Sequence, residues 1–438
     1  MMQNIKRLEK ENFVFVNDEI VIKDESLKNE SIGYYKDAWL RFKKNKASVV
    51  AMYIIGVILL LTLVGPYFRQ YKLPEEDGGL ALYFQYLPNK IPGLENLGIF
   101  DGSKTISGIN PDYYELLPEG IVLEVIEEND PTNPGTMVLE VDYYRYHRYI
   151  YAYGTNLVDG ERGVRTITIS KANYEKALDR NAVISLVNVN GNDYRVQLDI
   201  YRYAFDQDVD DVYFWFGTTA TGHDLFTMLW MGSRISLLLA LLVTIINITI
   251  GVTIGSIVGY YGSTLDIVFE RIVDIISNIP FMVILTLMLL RYGSGFGVII
   301  FAFVFAGWIS SYSTSRIQVY RYKNREYVLA ARSYGASDRR IITKHILPNA
   351  MGTLITSFSL SLPSFIFAES TYSYLGIINY PGVQSVGRLL ADGQQVMQHH
   401  FHLLLYPAIY LSLLMLSFNL FSNGLRDAFN PSLRGVDE

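Results

Sequence analysis

Five stretches of this chain run past 20 residues without a charged side chain: 47–68, 235–265, 292–315, 346–368 and 403–425. A helix needs about 20 apolar residues to cross the hydrocarbon core of a bilayer, where every backbone polar group must be satisfied inside the segment. The chain is therefore expected to fold around membrane-crossing helices. A sixth apolar run, 275–290, is shorter and borrows the turns before it, which hold Asp266, Arg271 and Asp274. Six spans are expected. Composition agrees, since half of the 438 residues are hydrophobic and only 18% are charged, against roughly a quarter charged in an average soluble domain.

Charge sets the expected orientation. Lys36, Arg41, Lys43, Lys44 and Lys46 stand just before the first apolar run, and basic residues beside a span stay in the cytoplasm. The polar first forty residues do not read as a cleavable signal peptide. With six spans both termini are then cytoplasmic. The loop from Arg316 to Asn349 falls on the same side and carries eight basic and two acidic residues. Residues 68–220 fall outside, with 13 Lys and Arg against 24 Asp and Glu, a net of −11. That stretch is long enough to bury its own core, and it has no cysteine to cross-link.

Within it, "GIVLEVIEEN" and "TMVLEVDYYRYHRYIYAYG" read as β-branched and aromatic strands, and "NAVISLVNVNGNDYRVQLDIYRYAF" as a hairpin turning at Asn190-Gly191. "SKANYEKALDRN" reads as a short helix with Ser170 as its N-cap. The many tyrosines read as fillers of a half-buried sheet rather than as a peptide- or sugar-binding surface. No internal repeat is evident. Ahead of the first span, Tyr35, Ala38, Trp39 and Phe42 recur at helical spacing, as in an interfacial helix whose aromatic face lies among lipid headgroups. Residues 1–30 read as a polar tail.

The motifs of common catalytic sites are absent: there is no cysteine, no phosphate loop, no His-Glu-x-x-His and no Gly-x-Ser-x-Gly. His399, His400 and His402 cluster before the last span, but with no nearby carboxylate they read as solvated or headgroup-facing rather than as metal ligands. Asp266, Arg271 and Asp274 lie at helical spacing, so they can pair at the membrane lip, as a structural salt bridge or as a gate. Asn278 and Pro280 follow, where proline permits a kink. Glu369, late in the fifth span, either faces a cavity or sits among headgroups.

One segment is out of proportion to its place. "EYVLAARSYGASDRRIITKHILPNA", residues 326–350, joins two spans that a few residues would connect. It is helix-forming, with Ala330, Ala331 and Gly335 presenting little side chain. Gly335 bends or ends that helix, Ser337 can cap a second one, Asp338 suits that helix's positive end, and Pro348 marks the start of the fifth span. Two readings stand, an ordinary amphipathic loop helix or a docking element for another protein.

The same segment is similar, nearly position by position, to the loop of permease subunits of ABC importers, with Glu326, Ala330, Ala331, Gly335, Ile346, Leu347 and Pro348 in the family's places. "SIGYYKDAWLRFKKNKASVVAMYIIGVILLL", "ATGHDLFTMLWMGSRISLLLAL", "AESTYSYLGI" and "FNLFSNGLRDAFNPSLR" resemble the second (C) type of dipeptide/oligopeptide permease. His223 and Thr227-Met228 depart from its pattern. The likeness covers residues 31–68 and 220–434, and leaves 68–220 as an insertion in what is ordinarily a short loop.

The resemblance implies an all-α polytopic membrane protein with the type I ABC importer permease fold, six transmembrane helices and an inserted extracellular α+β domain. Its parts would be a cytoplasmic tail and interfacial helix (1–46), the first span (47–68), the inserted domain (69–220), a core (221–425) with the coupling helix at 324–340, and a cytoplasmic tail (426–438). It further implies peptide import without catalysis or cofactor by this subunit. The implied partners are a second permease as heterodimer, two ATPase subunits, an extracellular peptide-binding lipoprotein and membrane lipids, with no nucleic acid. Import of nickel complexes or oligosaccharides is the alternative within the family. A receptor would need a cytoplasmic signalling domain for which the inner segments are too short, and a secondary transporter would normally show paired repeats and midplane ion ligands.

Overall fold

The computed structural model describes residues 34–68, 71, 79–155, 157–158, 161–380 and 384–429. The expected tail over residues 1–30 and the last residues, 430–438, lie outside that range. The chain opens with α1 (Tyr34–Lys44) and α2 (Lys46–Val64). A mixed domain follows: β1 (Ser103–Ile109), α3 (Pro111–Tyr114), β2 (Val122–Glu127), β3 (Met137–Asp142), α4 (Tyr143–Tyr153), β4 (Leu157–Val158), β5 (Glu161–Arg162), β6 (Ile167–Ser170), α5 (Lys171–Asp179), β7 (Val183–Asn190), β8 (Asp193–Leu198) and α6 (Ile200–Phe205). The rest is helical: α7 (Leu225–Tyr261), α8 (Ser263–Ser277), α9 (Phe281–Tyr292), α10 (Phe296–Tyr322), α11 (Glu326–Ser333), α12 (Asp338–Arg340), α13 (Leu347–Tyr374), α14 (Val386–Gln395) and α15 (His402–Phe429).

Among the described residues five helical stretches are long and apolar enough to cross a membrane: α2 with the turn after it, α7, α10, Asp338–Tyr374 and α15. The short sixth run is not one straight helix. α8 and α9 meet at 74°, broken over Asn278 to Pro280, where proline denies the ladder a donor.

Close approach of α7 and α10 is written in glycine. Gly251, Gly255 and Gly259 repeat every four residues, and a β-carbon on any of them would collide with Ser311, Tyr312 or Arg316 of α10. Such a stripe lets two backbones meet where lipid supplies no hydrophobic drive. At the end of α2, Arg234 of α7 donates to the carbonyls of Thr62 and Leu63 at 3.3 and 2.9 Å, satisfying acceptors that the helix terminus leaves open.

α1 departs from expectation. Ala38 and Phe42 are buried against Phe421 and Ala428 of α15, with the Phe42 and Phe421 rings edge-on at 5.5 Å. Its apolar face is thus packed against protein instead of lipid headgroups, and Trp39 is left exposed.

The mixed domain brings two corrections. The aromatic runs after Asp142 and Asp199 are helices, not strand continuations. Each aspartate accepts from the two backbone N–H groups beyond it, Tyr144 and Arg145 in one case, Tyr201 and Arg202 in the other, and such caps start a helix whatever the β propensity of the rings. Helical spacing then divides the α4 rings between two cores, Tyr144 and Tyr151 in one and Tyr146, Tyr149 and Tyr153 in the other. The expected hairpin at Asn190-Gly191 and the Ser170 cap of α5 are present.

The domain is also built twice. The order β1-α3-β2-β3-α4 recurs as β6-α5-β7-β8-α6, and the antiparallel sheets have matching strand orders, β1-β3-β2 and β6-β8-β7. Bulges match as well: register slips at Leu123 and Ile126 on β2 and at Ile184 and Val187 on β7. The repeat escapes the sequence because little beyond "VDYYRY" and "LDIYRY" remains alike.

The doubled domain is seated on the bundle. Tyr86 stacks on His400 at 4.5 Å, Phe216 stacks on Tyr406 at 4.1 Å, and Asn89 donates to the Tyr406 hydroxyl at 3.1 Å. His400 and His402 are therefore half-buried against protein, contrary to expectation, while His399 is exposed. Burial draws His400 down to about 4.

Candidate functional site

Three clusters hold the polar residues that the apolar helices would otherwise exclude. The first is the segment between α10 and α13. α11 ends at Tyr334, and Gly335 follows with φ +80°, a left-handed conformation that favours glycine. Val328, Ile341 and Ile346 are fully buried together with Tyr260 and Val319, so the segment is pinned to the ends of α7 and α10. Asp338 accepts from the hydroxyls of Tyr260 and Tyr261 at 2.7 and 3.0 Å, and Arg332 donates to the Tyr260 hydroxyl at 3.1 Å. Ser337 starts the next helix without a side-chain cap. A π-helical turn over Ile341–Ile346 carries the chain into α13, with Pro348 in its first turn.

The candidate residues thus divide. Glu326, Ala330, Gly335 and Pro348 are exposed, Ala331 and Leu347 are half-buried, and Ile346 is interior. Sequence reading missed Tyr334, 92% exposed at the tip, with Tyr327 and Leu329 exposed on the same helix. An exposed aromatic beside a required glycine was the available signal. The segment offers an anchored surface with an exposed tyrosine on it.

The second cluster lies at the same end of the bundle. Asp266 does not pair with Arg271. It receives a two-pronged contact from Arg316 of α10, at 2.5 and 2.8 Å, and a hydrogen bond from the Tyr320 hydroxyl at 2.9 Å. Glu270 joins Arg316 at 2.9 Å. Arg271 and Asp274 pair with each other, at 3.0 Å, on an exposed face. Helical spacing allowed the first pairing, but the α8 face carrying Asp266 and Glu270 turns toward α10.

The third cluster surrounds Glu369, which is fully buried and fits neither expected setting. Its carboxyl accepts from Ser236 of α7 at 2.8 Å and from Ser373 at 3.0 Å, with Tyr380 and Ser385 buried beside it. Among the described residues no cation pairs with it. Close backbone contact surrounds the knot, for a β-carbon at Gly232 or Gly387 would strike the carbonyl of Gln384 or Ser370.

Long apolar helices crossing at a glycine stripe define a multi-pass membrane protein. The chain belongs to the family of binding-protein-dependent transport system inner membrane components. Residues 251–435 match that family, and residues 33–88 match the N-terminal TM domain of oligopeptide transport permease C. The chain is similar to the dipeptide transport system permease protein DppC of Bacillus subtilis, 39% identical over 221 residues, half of this chain and 69% of that protein. The oligopeptide transport system permease protein OppC of the same species is 37% identical over 220 residues, covering 50% of this chain and 72% of that one. DppC of Lactococcus lactis is 29% identical over 430 residues, 98% of either chain, so its alignment runs through the doubled domain as well.

Proposed function

We propose that the chain is the membrane-spanning permease subunit of an ATP-driven importer for di- and oligopeptides. Family membership carries this reading, and the anchored 326–340 segment with its exposed Tyr334 supports it. In this reading α11 is the coupling helix. Glu326, Ala330, Ala331, Gly335 and Tyr334 meet a groove on an ATPase subunit, while Ile346, Leu347 and Pro348 anchor the segment to α13. Because Tyr260 and Asp338 tie the segment to α7, a push at the surface reaches two spans as one body. The Asp266–Arg316 contact holds α8 against α10 near the same end.

The subunit itself performs no catalysis; two ATPase subunits hydrolyse ATP, and a second permease completes the pathway across the cell membrane. α8 and α9 together supply the sixth span, and both termini are cytoplasmic. The doubled domain is extracellular, and its net charge of −11 over residues 68–220 steers the basic surface of a substrate-binding lipoprotein toward it. The test is uptake. Proteoliposomes holding the subunit with its partners are expected to accumulate labelled di- and tripeptides only with ATP inside and binding protein outside. Accumulation of a nickel complex or an oligosaccharide in place of peptide would overturn the substrate assignment.

A further inference from the structure

A cleft opens in the doubled domain, away from the spans. It encloses about 320 Å³, at the lower end of the range for small-molecule sites. It opens at the seam between the repeats. One wall is a single face of α4, where Arg145, Arg148, Tyr149 and Tyr153 recur at helical spacing. Glu119 and Asp210 stand at its edge, and Ile184 comes across from the second repeat.

Two features narrow what it can hold. The arginines are already neutralised: Arg145 makes a two-pronged contact with Asp210 at 2.8 and 2.9 Å, and Arg148 meets Asp199 at 2.7 Å and Asp208 at 3.3 Å. A guanidinium has five donor hydrogens, so donors remain for a carboxylate, but no net positive charge remains for a phosphate. Glu119, exposed and without an ion pair among the described residues, offers an acceptor for an ammonium. The ligand that satisfies both is a zwitterion with an apolar body against tyrosine.

The second feature is Ile184. It is the slipped residue of the first β7 bulge, left without a partner between Val183 and Ser185, and it lines the cleft. Bulges at such places re-aim side chains. β7 is an edge strand, paired only with β8 among the described strands, and it meets the cleft at Ile184; an extended backbone can add to such an edge irrespective of side-chain sequence. The corresponding bulged residue of the first repeat, Leu123, is also exposed but does not line this cleft. Of this pair of equivalent bulges, the one at Ile184 lines the cleft and the one at Leu123 does not.

We infer that the seam between the repeats is a binding site for a free di- or tripeptide, carried by the permease subunit itself. The carboxylate meets Arg145 and Arg148, the ammonium meets Glu119, the side chains lie against the half-buried Tyr153, and the backbone runs along β7 past Ile184. The choice of peptide rests on the importer reading above; the cleft and its charges do not. A peptide held there is presented on the permease before or after it leaves the binding protein.

Calorimetric titration of the purified full-length subunit in nanodiscs with Phe-Ala tests this. Saturable binding is expected, weakened about tenfold or more, a change of ~1.4 kcal/mol or more, both by Ile184→Arg and by using the N-acetylated, amidated peptide. Leu123→Arg, the same change at the equivalent bulge, is expected to bind as the parent does. Absence of saturable binding, equal binding by Ile184→Arg, or equal loss in Leu123→Arg would each overturn the site. ATP-dependent peptide uptake, measured separately, reports on the importer reading: uptake without binding sinks the site alone.

Discussion

Ser236 donates a 2.8 Å hydrogen bond to the carboxyl of Glu369, joining α7 to α13 where both are buried. The knot has hydroxyl donors and, among the described residues, no cation, so hydrogen bonding, not ion pairing, holds it. Glu369→Gln keeps an acceptor of the same shape and is expected to melt within a few degrees of the parent in detergent. Glu369→Leu strands the hydroxyls of Ser236 and Ser373 and is expected to cost about 2–4 kcal/mol. Equal losses from the two substitutions would show that charge matters where we assign it no part.

Arg316 and Asp266 make the strongest link between α8 and α10, with both side chains about one-fifth exposed. A double-mutant cycle on Arg316→Leu and Asp266→Leu, read by thermal inactivation, is expected to give a coupling of about 1–2 kcal/mol. Arg271→Leu is expected to change stability by less than about 0.5 kcal/mol, since its pair is exposed. A larger effect at Arg271 than at Arg316 would contradict the packing of α8.

Gly335 holds a φ of +80° with open space around it. A leucine there fits sterically with its neighbours but strains the backbone by roughly 1–2 kcal/mol. Membrane insertion of Gly335→Leu should stay at the parent level while ATP-driven uptake is lost. Tyr334→Ala should retain the backbone and weaken retention of the ATPase during purification. Normal uptake by Gly335→Leu would remove the coupling assignment.

His147 lies in the core of the doubled domain, its Nδ1 3.1 Å from the Tyr201 hydroxyl, and burial pulls its pKa down to about 3. The unfolded chain, with an ordinary histidine near 6.5, therefore takes up a proton first. Stability of the domain is expected to fall as pH drops below about 6.5, and to stop responding to this residue below about 3. Between pH 6.5 and about 5 the carboxylates contribute little, but His400 titrates there as well, so amide exchange in α4 and α6 across that window is compared between the parent and His147→Gln. His147→Gln should flatten the slope even if it lowers stability overall.

Much of the architecture was legible because membrane crossing is a strong local constraint. A run of twenty uncharged residues has few alternatives to a helix, and the five long runs appear as helices within a turn or so at most ends. Caps were legible at Ser170, and the kink at Pro280, because both act through the backbone of adjacent residues. The segment around Gly335 was legible for the same reason: a left-handed position calls for glycine wherever the chain goes next.

What only the tertiary structure decided were contacts between residues distant in sequence. Asp266 could reach Arg271 along its own helix, yet the rotation of α8 against α10 gave it Arg316. The tyrosines after Asp142 and Asp199 suit strands, and became helices because a capping aspartate and two waiting cores outweighed weak β propensity. Glu369 could be placed only once Ser236, 133 positions earlier, lay beside it. The duplication left its trace in strand order and paired bulges, which are backbone properties that many sequences satisfy, and so the cleft between the repeats had no counterpart in the order of the residues.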